Sequence, residues 1–148
     1  RWEDQFNLGL DPVTAAPYAC SGLTTYSALK KLDLDQPIVI FGAGGLGLMA
    51  ITLLAAMGGK GAIVVDIDAR KREAALQAGA LASVDGAAPD ALEQIARAAG
   101  VPIRGALDLV GNAQTAQLGF DCLTKGGKLV IVGLFGVSAA MIHWLDRL

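Results

Sequence analysis

The 23 residues from Pro37 to Gly59 carry no charged side chain, and six of them are glycine. An apolar run of that length meets the criterion for a membrane-spanning helix. Four of the glycines, at 42, 44, 45 and 47, crowd into one short stretch that would break such a helix. A buried strand, a tight glycine turn and a buried helix account for the same residues, so no membrane partner is expected.

The rest of the chain repeats that alternation. Short β-branched runs at Ile38 to Phe41, Ala62 to Asp66, Ala82 to Asp85, Ala106 to Val110 and Lys128 to Val132 read as strands. Between them, Leu46 to Met57, Ala69 to Ala78, Pro89 to Ala99 and Ala113 to Leu123 read as helices. Continuously apolar strands separated by helices predict an α/β fold: a Rossmann-type, doubly wound parallel sheet of five strands, with a sixth available at Ala139 to Ile142. Asp68 and Asn112 are suited to cap helix N-termini, and Gly79, Gly100 and Gly126 to follow helix C-termini. Leu92, Ile95, Ala96 and Ala99 are spaced to form one apolar helix stripe. Before Pro37, two short helices broken near Ala19 to Gly22 are expected. The chain divides into 1–36 as connecting helices, 37–136 as a dinucleotide-binding domain and 137–148 as a tail.

At 148 residues and 53% apolar content, such a domain can bury a core without disulfides or a structural metal. A net charge of −2 argues against nucleic acid, since no concentrated basic face is available to neutralise phosphates. Two cysteines, Cys20 and Cys122, with no CxxC pair exclude a disulfide scaffold, and the polar start of the chain does not resemble a secretion signal; a cytoplasmic setting is expected.

Gly42-Ala43-Gly44-Gly45-Leu46-Gly47 follows the first strand and opens a helix, which is the context that GxGxxG requires. The first glycine permits a tight turn, the second lets the backbone approach a pyrophosphate, and the third lets helix and strand pack closely. Asp66 ends the second strand nineteen residues after Gly47, where a carboxylate accepts from the hydroxyls of an adenosine ribose. Arg70-Lys71-Arg72 next to it is either a cofactor contact or a solvated helix face.

Five segments in order resemble the cofactor domain of the zinc-dependent alcohol dehydrogenases, in the medium-chain dehydrogenase/reductase superfamily. They are Cys20-Ser21-Gly22-Leu23-Thr24-Thr25-Tyr26-Ser27-Ala28-Leu29, the strand and glycine loop Val39 to Gly47, Val64-Val65-Asp66, Asp108-Leu109-Val110-Gly111, and Gly126 to Gly133. The resemblance implies an NAD-dependent oxidoreductase acting on an alcohol or aldehyde, often as a homo-oligomer. It implies that Cys20 is one ligand of a catalytic zinc, that Thr24 lies beside the nicotinamide and that Lys71 lies near the ribose. Val110, Gly111, Val132 and Leu134 would line the nicotinamide half, and Gly45 and Leu46 would complete the phosphate loop. The other zinc ligands of the family, a Cys and a His, belong to a catalytic domain that precedes this region. His143 lies after the whole motif set and reads as a tail residue. The chain alone is therefore expected to be inactive.

Three other readings compete. A zinc-free reductase of the same superfamily would not need Cys20, and neither would a dinucleotide-binding module without chemistry of its own. Tyr26 and Lys30 spell the YxxxK pair of short-chain dehydrogenases, but before the glycine motif rather than after it. Cys122 belongs to no motif and is expected to pack in the core.

Overall fold

A computed structural model describes residues 11–134. The N-terminal region forms a helix α1 (Pro12–Ala15), a 3-10 turn (Ala16–Ala19) and a helix α2 (Ser21–Leu29). Strands and helices then alternate: β1 (Ile38–Phe41), α3 (Gly45–Ala56), β2 (Ala62–Asp66), α4 (Ala69–Gln77), β3 (Ala82–Asp85), α5 (Ala91–Ala99), β4 (Gly105–Asp108), α6 (Ala113–Asp121) and β5 (Lys128–Ile131). The sheet order is β3-β2-β1-β4-β5, and every pairing is parallel. Chain order reverses between β1 and β4, which makes their carboxyl ends the switch point where an open α/β sheet presents a ligand crevice.

The uncharged run resolves into β1, the glycine turn and α3. No helix among the described residues is long and apolar enough to cross a membrane. All four residues of β1 are buried because both faces of the sheet are covered. Ile38 and Ile40 face a cluster with Leu29, Ala50, Leu54 and Val64, under α2, α3 and α4. Val39 and Phe41 face the opposite cluster with Ile63, Val65, Ala91 and Ile95, under α5 and α6.

Local chemistry sets the boundaries. Asp68 caps α4 by accepting from the N–H groups of Arg70 and Lys71, and Asn112 caps α6 in a reciprocal box with Thr115. Gly100 closes α5 in the left-handed conformation. Four expectations need correction. β4 ends at Asp108 rather than Val110, because the next amides turn back onto the Asp108 carboxylate. α5 starts at Ala91 and buries Ala91 and Ile95, leaving Leu92 40% exposed, so its inward stripe is set one residue earlier than Leu92. Gly126 does not close α6; it sits in a separate turn in which Gly127 N–H donates to the Thr124 carbonyl. α3 starts at Gly45, one residue ahead of the expected Leu46. The strand proposed at 139–142 and His143 lie outside the described residues.

Candidate functional site

The glycines of the turn after β1 separate by what each position demands. Gly42 has φ +97°, and a Cβ there would stand 2.9 Å from Cγ2 of Val110, so both conformation and space require glycine. Gly47 lies in the first turn of α3, and a Cβ there would overlap the carbonyl oxygen of Gly42. Gly44 is different. Its backbone (φ −75°, ψ −165°) is extended and open to any residue, and a Cβ there would meet nothing within 4 Å. No side chain caps the helix that Gly44 opens, so the first-turn amides of α3 give onto a cleft of about 290 Å³.

Asp66, at the end of β2, borders this cleft. Its Oδ2 accepts from the N–H of Ala43 at 2.8 Å and its Oδ1 from the N–H of Asp68 at 2.9 Å. The carboxylate thus ties the end of β2 to the glycine turn and retains lone pairs for a further donor. Arg72 secures the same strand end: Nη1 donates to the Asp66 carbonyl at 2.8 Å, and Nη2 pairs with Oδ2 of Asp85 at 3.3 Å. The three basic residues therefore divide. Arg72 is turned to the protein, Arg70 is exposed and does not line the cleft, and Lys71 borders it.

A second cleft of about 360 Å³ adjoins the first, the two sharing Asp66, Lys71 and Val110. Its walls are mainly apolar, with Ile67 72% exposed on one side and Val110 and Leu118 on the other. Asn112, Gln114 and Thr115 from the start of α6 add polar groups.

Of the residues singled out from sequence, Gly42, Gly44, Gly45, Leu46, Gly47, Asp66, Lys71 and Val110 meet along this paired cleft. Gly111, Val132 and Leu134 do not line it. Gly111 is buried, Val132 packs against the core, and Leu134 is exposed. Cys20 and Thr24 are exposed at the start of α2, joined by a Thr24 N–H bond to the Cys20 carbonyl, and line neither cleft. Among the described residues no three His, Cys, Asp or Glu side chains come together as a metal site, so Cys20 offers a single donor. Cys122 is half-buried and donates to the Gly119 carbonyl; burial pushes its thiol up to about 12. Lys30 places its ammonium 5.6 Å from the centre of the Tyr26 ring, a surface cation–π pair.

Ile67 and Leu118 were not legible as site residues, since exposed or half-buried apolar residues are common anywhere in a sequence, and Gln114 was one more polar residue in a helix's first turn. Asp108 carried a weak signal, as an acid inside the otherwise apolar run read as Ala106 to Val110.

Residues 45–146 match the family described as zinc-binding dehydrogenase. The NAD-dependent alcohol dehydrogenase of Sulfurisphaera tokodaii is 40% identical over 133 residues, covering 87% of this chain and 38% of the relative. The solved alcohol dehydrogenase of Aeropyrum pernix superposes with a TM-score of 0.74 at 32% identity, over 89% of this chain and 40% of the other. A zinc-binding dehydrogenase from Sinorhizobium meliloti, solved bound to NADP, gives 0.76 at 25% identity, over 94% and 44%. The chain thus spans well under half the length of these proteins.

Proposed function

The chain belongs to the zinc-binding dehydrogenase family, as the dinucleotide domain of its alcohol dehydrogenases, and we propose that its paired cleft holds NAD. The observation that supports this best is Gly44. Neither conformation nor packing asks for glycine there, whereas a pyrophosphate drawn onto the first-turn amides of α3 needs the space that a Cβ would take. The helix contributes fixed N–H donors and a positive dipole end at no reorganisation cost. Asp66 then takes the ribose hydroxyls, Lys71 lies where it offsets phosphate charge, and the apolar walls at Ile67 and Val110 suit a planar base.

When bound, the nicotinamide supplies the hydride acceptor for oxidation of an alcohol, or the donor for reduction of an aldehyde. This chain's residues bind and orient it. Catalytic zinc uses three protein ligands, and the described residues bring no such group together around the exposed Cys20 thiol, so they do not make a zinc site by themselves. We place Cys20 as one ligand in a longer protein, with Thr24 one helical turn on at the nicotinamide end. Oxidoreductase activity belongs to that longer protein, and this chain is its cofactor-holding part.

Titration calorimetry of the chain with NAD should give saturable binding at one site per chain. A flat titration against a folded sample, judged by circular dichroism, refutes the reading.

A further inference from the structure

Asp108 is the last residue of β4, fully buried next to β1 at the switch point. Oδ1 accepts from the N–H groups of Val110 and Gly111, both at 2.9 Å, and Oδ2 accepts from the Thr115 hydroxyl at 2.9 Å. Its own carbonyl accepts from the N–H groups of Val132 at 2.8 Å and Gly133 at 3.2 Å. Burying a carboxylate is costly unless donors replace its water, and here three do. The loop is shaped to provide them. Gly111 has φ +72°, and a Cβ there would overlap the Gly133 backbone, so only glycine lets the second amide reach Oδ1 while β5 stays packed alongside.

Two consecutive amides converging on one oxygen make an anion-binding concavity. The switch point therefore carries two sets of converging backbone donors. The set at the start of α3 has no side-chain acceptor, whereas the set after β4 is filled by the protein's own carboxylate. The segment that Asp108 holds carries Val110, which walls both clefts, and Asn112 and Thr115, which border the larger one.

Resting on the NAD reading above, we propose that Asp108 is the positioning residue of the dinucleotide cleft: by satisfying the Val110 and Gly111 amides internally, it fixes the β4 wall and leaves the α3 amides to take the pyrophosphate. What the role requires is the acceptor geometry rather than the charge. In Asp108→Asn the side-chain oxygen still accepts both amides. The new NH₂ donates to the Thr115 oxygen, whose own hydrogen turns to the Asn112 carbonyl already 3.2 Å away. In Asp108→Ala the Val110 and Gly111 amides lose their acceptor and the Thr115 hydroxyl keeps only the Asn112 carbonyl.

The test is titration calorimetry with NAD on the wild type, Asp108→Asn and Asp108→Ala, at a temperature where circular dichroism shows each fully folded. Asp108→Asn should bind within threefold of wild type and Asp108→Ala at least tenfold more weakly. A loss caused by general damage to packing would not be rescued by Asn. If Asp108→Ala does not fold, Thr115→Val and Thr115→Ser replace it. Val, lacking the hydroxyl, should weaken NAD at least threefold, and Ser, keeping it, should not. Wild-type affinity in Asp108→Ala, equal losses in the Asn and Ala variants, or equal affinities in the two Thr115 variants overturn the proposal. A wild type that does not bind NAD instead refutes the function on which the proposal rests.

Discussion

Gly44 and Gly47 are three residues apart in one loop, and the structure assigns them opposite liabilities. At Gly44 the backbone is extended and a Cβ meets nothing within 4 Å, so valine should be tolerated by the folded chain. Valine is a poorer N-cap than glycine by about 0.5–1 kcal/mol, and stiffening the unfolded chain returns a similar amount, so stability should change by less than about 1 kcal/mol. For a chain of this size that is at most about 2–4 °C in Tm. The ligand bears the cost. A hydrogen bond from an amide to a charged oxygen contributes about 1.5–3 kcal/mol, and a side chain in the anion's seat removes two of them, about 3–6 kcal/mol. NAD affinity should fall by about 100-fold or more. At Gly47 an alanine Cβ overlaps the Gly42 carbonyl, which belongs to rigid backbone at the end of β1. Overpacking of this kind costs up to about 3 kcal/mol or more, against about 1 kcal/mol gained in helix propensity. Its Tm should drop by several degrees. Thermal melts followed by circular dichroism, with NAD titrations at 25 °C, read both quantities for Gly44→Val and Gly47→Ala. If Gly44→Val binds NAD within threefold of wild type, or Gly47→Ala melts with it, the division of roles between the glycines is wrong.

NAD should be preferred to NADP by 100-fold or more. A ribose phosphate of charge about −1.5 to −2 placed ~4 Å from the Asp66 carboxylate is repelled by several kcal/mol at an effective dielectric of about 20. Equal dissociation constants would refute this, and Asp66→Ala should shrink the preference while weakening NAD itself, since Asp66 also holds the Ala43 amide. Burial keeps the Cys122 thiol neutral up to about 12 against an ordinary 9.0, so its contribution to stability is complete below pH 9 and is lost as pH rises from 9 towards 12. Urea midpoints measured from pH 8 to 11 should therefore fall more steeply in wild type than in Cys122→Ala, and parallel curves would contradict the assignment. The chain alone, given NAD and zinc, should not oxidise alcohols, because among the described residues Cys20 stands without the two partners that a catalytic zinc needs. Zinc-dependent NADH formation abolished by Cys20→Ala would show otherwise.

What could be read from the sequence is what local chemistry controls. The β1 residues are apolar on both faces, the glycine spacing has one structural solution, and Asp68 and Asn112 cap by reaching two or three residues along the chain. Three features resisted because they depend on distant partners. The phase of α5 is set by which residues meet Val39, Ile63 and Val84 across the sheet, so Ala91 goes inward in place of the more hydrophobic Leu92. Arg72 is one of three adjacent basic residues, and the Asp66 carbonyl together with Asp85 on β3 makes it the inward one. Asp108 ended a strand much as Asp66 did, yet the two carboxylates serve opposite ends. Asp66 is half-exposed and borders the cleft, where a ribose can reach it, while Asp108 is buried and spent on the loop that shapes the cleft. Both strands flank β1, so the difference lies in what covers their ends. Beyond β2 lie the turn into α4, the Arg72 guanidinium, Gly86 and the Ala43 amide, which leave the Asp66 carboxylate partly open, whereas β4 is roofed by the segment from Leu109 to Asn112 and by Gly133 following β5. An acid under a roofed strand end is spent on backbone, and one at a more open strand end keeps lone pairs for a ligand.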